Sequence, residues 1–335
     1  MLTAKYPRAK LAHTPTPIEL LPRLSKEIGG PAIWVKRDDC TGLAFGGNKA
    51  RQLEYYLGEA LRDKADTILI TSAVQSNYSR SAVAAARKYG LDVEVQLEER
   101  VPDQPIEYYN SGNPFISKLM GAQTFSYPDG EDEEGADNAV FKRATKLKEQ
   151  GKRPYVIPLS NKHIPLGSLG YVDCAEELIS QVFEQKIPIN AIACASGSGT
   201  THAGLLVGLR ALGNWAPIYG ICVRRDKLSQ TKRVFEKSKI VAKMIGFKNL
   251  IDKSDIKLTD TTLSPGYGQL NHKVVEAIDL AANCEGLLVD PVYTGKALAG
   301  LIELIRNGEF SKDQNVLFIH TGGTPALFGY PELVK

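Results

Sequence analysis

An α/β architecture of two open, parallel-sheet lobes is predicted by three features of this 335-residue chain. Apolar β-rich runs alternate with helical ones: Thr67 to Ser72 precedes Ser79 to Tyr89, and Ala191 to Ala195 precedes His202 to Leu212. Such alternation is the pattern of βαβ units, which lay parallel strands side by side. The length exceeds what one core usually serves, so two lobes are expected. Hydrophobic residues at 43% and charged residues at 24% are ordinary globular values, which exclude a disordered or fibrous chain.

Further strands are predicted at Ile33 to Arg37, Val93 to Leu97, Tyr155 to Pro158, Ile218 to Val223 and Val316 to His320. The stretch Pro158 to Gly170 has little periodicity and reads as the crossing between lobes. A small lobe is therefore placed at residues 50–160, and a large lobe is built from 1–49 plus 161–335. The acidic run from Asp129 to Gly135 reads as a solvated loop and helix start.

Charge excludes some partners. A formal net charge of +3, with Lys and Arg spread along the chain, gives no field that argues for nucleic acid or an anionic membrane. The cysteines Cys40, Cys174, Cys194, Cys222 and Cys284 are odd in number and form no CxxC pair, so neither a disulfide frame nor a metal site is expected. No apolar leader opens the sequence and no stretch is suited to span a bilayer, so a cytoplasmic protein is expected.

Three polar or glycine-rich turns lie where a helix N-terminus receives an anion. In Gly197-Ser198-Gly199-Thr200-Thr201, small residues let the backbone wrap a phosphate and the threonines add hydroxyl donors; a tight turn with a serine cap is the plainer alternative. The spacing does not fit the dinucleotide fingerprint, because the third glycine is missing. The segment Gly46-Gly47-Asn48-Lys49-Ala50 lacks the lysine and hydroxyl positions of a nucleotide P-loop. It leaves Lys49 at a helix start, where dipole and desolvation favour a neutral nucleophilic amine; read alone, a surface-helix lysine is by far the commoner explanation of Lys49. Ser76-Asn77-Tyr78 follows a strand and offers N–H groups to a carboxylate, with helix capping as the alternative. Tyr267, Tyr293 and Thr321 stand on three further turns.

The order and wording of these segments resemble the tryptophan-synthase-β-like pyridoxal-phosphate enzymes. Within them the likeness is to the branch of 1-aminocyclopropane-1-carboxylate deaminase, D-cysteine desulfhydrase and L-cysteate sulfo-lyase. It runs from Pro15-Thr16-Pro17 through Lys36-Arg37-Asp38-Asp39 and Gly46-Gly47-Asn48-Lys49 to Thr321-Gly322-Gly323. The resemblance implies pyridoxal 5'-phosphate in a cleft between the lobes of a homodimer. It makes Lys49 the Schiff-base lysine and the mover of the α-proton. Asn77 falls beside the phenolic oxygen, Gly197 to Thr201 on the phosphate, Tyr293 against the ring, and Ser76 and Tyr267 near the substrate.

Where the deaminase pattern has glutamate and leucine near the ring nitrogen, this chain has Thr294 and Thr321. A hydroxyl does not keep the pyridine protonated as a carboxylate does, so prompt loss of a β-substituent is expected. The chain departs from the branch at Tyr78 and in Ser160-Asn161-Lys162-His163, where Lys162 or His163 would favour an anionic side chain if the loop borders the substrate. The expected activity is β-elimination from a small sulfur-bearing amino acid, giving pyruvate, ammonia and sulfide or sulfite. The cyclopropane deaminase is the enzymatic alternative, and a catalytically silent phosphate-ligand sensor the non-enzymatic one.

Overall fold

The computed structural model describes residues 1–334. Its strands are β1 (Ile18–Leu20), β2 (Ala32–Lys36), β3 (Thr67–Ala73), β4 (Asp92–Glu98), β5 (Gln123–Tyr127), β6 (Pro154–Ile157), β7 (Ala191–Ser196), β8 (Ile218–Cys222), β9 (Lys257–Thr259) and β10 (Asn315–Ile319). They form two sheets, one of order β1-β2-β10-β7-β8-β9 and one of order β5-β4-β3-β6. Every pairing is parallel except that of β1 with β2. All seven residues of β3 are buried, as expected for a parallel strand covered on both faces.

The topology decides where a ligand can sit. In the four-stranded sheet the chain moves outward from β3 to β5 and then returns to place β6 on the other side of β3. In the larger sheet it moves from β7 to β9 and returns to place β10 beside β7. Each reversal leaves a crevice beyond the carboxyl ends of two neighbouring strands, the usual ligand position in open α/β sheets. The loops after β3, β6, β7 and β10 all contribute to one cleft.

The helices that build the cleft are α1 (Asn48–Arg62), α2 (Asn77–Lys88), α3 (Glu133–Glu149), α4 (Leu169–Glu184), α5 (Thr200–Ala211), α6 (Lys227–Met244) and α7 (Thr294–Arg306). A buried charge network braces the start of α1. Arg51 donates to Asp38 at 2.9 Å and to Glu177 at 2.8 Å, Lys36 donates to Glu177, and Tyr171 donates to Asp38 at 2.6 Å. Two cations meet two carboxylates, so the desolvated charges are balanced.

The turn before α1 needs its glycines. Gly46 and Gly47 have φ of +61° and +108°, and a Cβ at Gly47 would stand 3.0 Å from the Thr321 carbonyl oxygen. Without a side chain there, the Gly47 N–H reaches the Asp38 carbonyl and the Asn48 N–H reaches that of Thr321, each at 3.0 Å. The loop that carries Lys49 is thereby tied to the loop after β10.

Candidate active site

The cleft brings together Lys49, Ser76, Asn77, Tyr78, Gly197 to Thr201, Tyr267, Tyr293 and Thr321. These residues come from loops spread over more than two-thirds of the chain, and the two switch points gather them.

Lys49 lies in the first turn of α1, half-buried, with its ammonium 4.9 Å from the centre of the Tyr78 ring and 3.3 Å from the Gln52 side-chain oxygen. No carboxylate lies within ion-pair distance of it among the described residues, and burial lowers its pKa to about 8. A substantial neutral fraction near neutral pH is the condition for a nucleophilic amine.

Ser76 both lines the cleft and caps α2, its hydroxyl accepting from the N–H groups of Tyr78 at 3.1 Å and Ser79 at 3.2 Å. The capping and functional readings of this residue therefore coexist. The Asn77 side-chain oxygen accepts from Arg80 at 2.8 Å and from Asn113 at 3.1 Å, so its amide nitrogen is the group left for the cleft. The hydroxyls of Tyr267 and Tyr293 meet at 2.7 Å with their rings edge to face.

The loop Gly197 to Thr201 delivers the start of α5 to the cleft, with Gly199 at φ +79°. The Thr201 hydroxyl accepts from Asn48 at 2.9 Å and Gln52 at 3.0 Å, which links this cradle to the helix of Lys49. Free N–H groups at a helix start and threonine hydroxyls form a donor set for phosphate. Cationic side chains surround it: Arg225 donates to the Gly197 carbonyl at 3.3 Å and Arg233 to that of Ser198 at 3.2 Å. A buried amine opposite a positive, hydroxyl-rich cradle fits pyridoxal phosphate in both its aldehyde and its phosphate chemistry.

Two expectations need correction. Thr294 does not line the cleft: its hydroxyl donates to Asp290 at 2.6 Å and accepts from the Asp290 N–H at 2.7 Å, because it is held in the turn before α7 whose N–H groups the Asp290 carboxylate receives. Thr321 alone of that pair faces the cleft. In the divergent loop, Lys162 is exposed and pairs with Glu134, whereas His163 does line the cleft.

The acidic run is also only partly solvated. Asp132 caps α3, but Glu133 turns into the cleft and pairs with Arg224 at 2.8 Å, Arg233 at 3.1 Å and Arg225. Arg100, Arg224, Arg225, Lys237 and Gln52 were not singled out in the sequence, Glu133 only as part of the acidic run and Asn48 only as part of the glycine turn, although Arg224 and Arg225 sit just beyond the carboxyl end of β8, a position that could have flagged them.

Two open parallel-sheet lobes, with a half-buried lysine facing an anion cradle at their switch points, define a fold and site of the pyridoxal-phosphate kind. The profile of the family described as "Pyridoxal-phosphate dependent enzyme" matches residues 9–322, and the chain belongs to that family. It is 42% identical over 326 residues to a D-cysteine desulfhydrase of Klebsiella pneumoniae subsp. pneumoniae, covering 97% of both chains. To the D-cysteine desulfhydrase of Salmonella typhi it is 41% identical over 331 residues, again with 97% of each covered. A crystal structure described as an ACC deaminase homologue superposes with a TM-score of 0.87 at 38% identity, covering 99% of this chain and 96% of that one.

Proposed function

We propose that the chain is a lyase that removes a sulfur β-substituent from a small amino acid, of the D-cysteine desulfhydrase or L-cysteate sulfo-lyase type. The products are pyruvate, ammonia and sulfide or sulfite. The observation that carries this reading is Lys49, a buried amine with no acid partner among the described residues, set across the cleft from the Gly197–Thr201 cradle. Relatives 42% and 41% identical over nearly the whole chain support the sulfur chemistry.

Bound pyridoxal phosphate supplies an electron sink for the pair left when a proton leaves the substrate's α-carbon. The protein's part follows from its own groups. The Gly197–Thr201 cradle would hold the phosphate end, Asn77 would offer its amide nitrogen to the phenolic oxygen, and Tyr293 would support the ring. The start of α2, around Ser76, Asn77 and Tyr78, receives the substrate carboxylate with the Asn77 N–H and the helix dipole, the N–H groups of Tyr78 and Ser79 being held by the Ser76 hydroxyl. Lys49 Nζ takes the α-proton, and burial keeps that amine basic but unprotonated for part of the time. The linked hydroxyls of Tyr267 and Tyr293 stand on the substrate side as proton donors or acceptors.

Opening of a cyclopropane amino acid to 2-oxobutyrate is a second reading, favoured by the likeness to the ACC deaminase homologue. Against it, Thr321 offers the ring nitrogen a hydroxyl, and Glu133 is the sole carboxylate lining the cleft among the described residues. A panel of D-cysteine, L-cysteine, L-cysteate, D-serine and 1-aminocyclopropane-1-carboxylate, read as keto acid plus sulfide or sulfite, tests the choice. Faster 2-oxobutyrate than pyruvate formation would replace the lyase with the deaminase.

The same reading assigns residues 50–160 to a small lobe and 1–49 plus 161–335 to a large one. Support comes from the four-stranded sheet, all of whose strands lie between Thr67 and Ile157. It also carries a cytoplasmic homodimer, to be measured by light scattering and by fractionation. Among the described residues, no helix is long and apolar enough to cross a membrane.

A further inference from the structure

One face of α6 runs along the phosphate cradle. Gln230, Arg233 and Lys237 stand at i, i+3 and i+7, the spacing that puts three side chains on one stripe. Each meets the next part of the loop. Gln230 donates to the Ser196 hydroxyl at 2.9 Å and the Gly197 carbonyl at 3.0 Å, Arg233 donates to the Ser198 carbonyl at 3.2 Å, and Lys237 donates to the Thr200 hydroxyl at 3.4 Å.

Lys237 is 5% exposed and lines the cleft. That long contact to Thr200 is its one hydrogen bond among the described residues, and no carboxylate lies within ion-pair distance of it. An ammonium has three donors, so two point at nothing the protein supplies. Beside it, the Arg233 Nη2 atom is buried without a partner. Uncompensated buried donors of positive charge are costly unless an anion joins them.

We propose that Lys237 is the counter-charge of the cofactor's phosphate, carried to the cradle by α6, and that it makes the site selective for the phosphorylated form of the vitamin. This rests on the pyridoxal-phosphate reading of the cleft. The charged groups around Lys237 leave room for a dianion: Arg233, Arg225 and Lys49 are cationic, and Glu133 is the single carboxylate acting on it. Burial first, and then Arg233, lowers the Lys237 pKa to about 7 in the absence of that anion. The unfolded chain, with an ordinary lysine, binds more protons than the folded one between pH 7 and the usual lysine range. The penalty on folding is thus fully present below pH 7 and fades as pH rises toward that range. Phosphate binding should reverse this by raising the lysine pKa and drawing in a proton.

The test uses the full-length protein stripped of cofactor with hydroxylamine, and measures binding of pyridoxal phosphate and of unphosphorylated pyridoxal. Lys237→Met should weaken pyridoxal phosphate by about 10- to 100-fold, the loss of one charge-assisted bond in a dry site, and leave pyridoxal unchanged. Lys237→Arg should restore most of the difference. The stripped Lys237→Met protein should melt no lower than the stripped native protein, while its loaded form melts lower; a merely structural lysine would lower both. Equal losses for the two ligands, or a pyridoxal phosphate affinity within about threefold of native, would overturn the proposal.

Phosphorus NMR of the native holoenzyme gives a second readout should the variants not fold. The phosphate signal should stay that of a dianion from pH 8 to well below the free group's second pKa of about 6, and titration close to that value would count equally against Lys237. If the native protein takes up neither ligand, it is the pyridoxal-phosphate reading that fails.

Discussion

The Arg80 guanidinium donates to the side-chain oxygen of Asn77 at 2.8 Å and to the Gly46 carbonyl at 2.9 Å. One buried side chain thus joins the loop before Lys49 to the residue proposed for the cofactor's phenolic oxygen. Arg80 meets no carboxylate at ion-pair distance among the described residues, and burial lowers its pKa to about 10. Arg80→Met strands the Gly46 and Asn113 oxygens and leaves the Asn77 amide held by Asn113 alone. Thermal unfolding should show a loss of about 2–4 kcal/mol, accompanied by a shifted cofactor absorption band. An unshifted band would limit Arg80 to packing.

Lys49 titrates low because its amine is buried. Its neutral, nucleophilic form grows as pH rises through about 8, so cofactor uptake by the stripped protein should accelerate with a midpoint there. A midpoint in the ordinary lysine range would describe an exposed amine. Lys49→Ala should abolish the covalently linked cofactor band and slow turnover by about 10²- to 10⁴-fold.

Removing the Tyr267 hydroxyl separates substrate chemistry from cofactor binding. Its hydroxyl contacts that of Tyr293 at 2.7 Å, and Arg100 and Arg224 each sit 6.0 Å from its ring centre. Tyr267→Phe should leave the cofactor band intact while turnover falls by about a hundredfold, the usual size of a lost proton-transfer group. Loss of cofactor in parallel would relocate Tyr267 to the cofactor's support.

Thr294 and Thr321 should respond in opposite ways. Thr294→Val breaks the bonds to Asp290 and Gly322, which predicts a destabilisation of about 1–3 kcal/mol in thermal unfolding. Thr321→Val, by contrast, should melt like the native protein but alter the cofactor spectrum and the rate with sulfur substrates. Thr294→Glu places a second carboxylate beside buried Asp290 and should lower the melting temperature further than Thr294→Val does.

Much of this was legible before any coordinates. The core strands were readable because parallel strands buried on both faces are continuous apolar runs, as at Thr67 and Ala191. Lys49 and the cradle were readable because glycine spacing and position at a helix start are local signals. The short strands β1 and β9 were not, since three residues carry no period, and β5 is an exposed edge strand reading Gln-Thr-Phe-Ser-Tyr. Arg100, Glu133 and Lys237 stayed hidden because each is an ordinary charged residue in its own segment, and packing alone brings them together, whereas Arg224 offered only its place beyond the end of β8.

Glu133 gives the cleft a latch. It opens a helix beside the four-stranded sheet, while Arg224, Arg225 and Arg233 belong to the side of the six-stranded one. Burial alone would raise the pKa of Glu133, but the three guanidinia hold it below the usual carboxylate range. Its stabilising effect is therefore complete above the ordinary glutamate pKa and disappears as pH falls through the lower, folded value. Acid does more than loosen this latch. Once Glu133 is protonated, the attraction across the cleft is lost, and three guanidinia on one side are left to repel one another without the carboxylate that had gathered them.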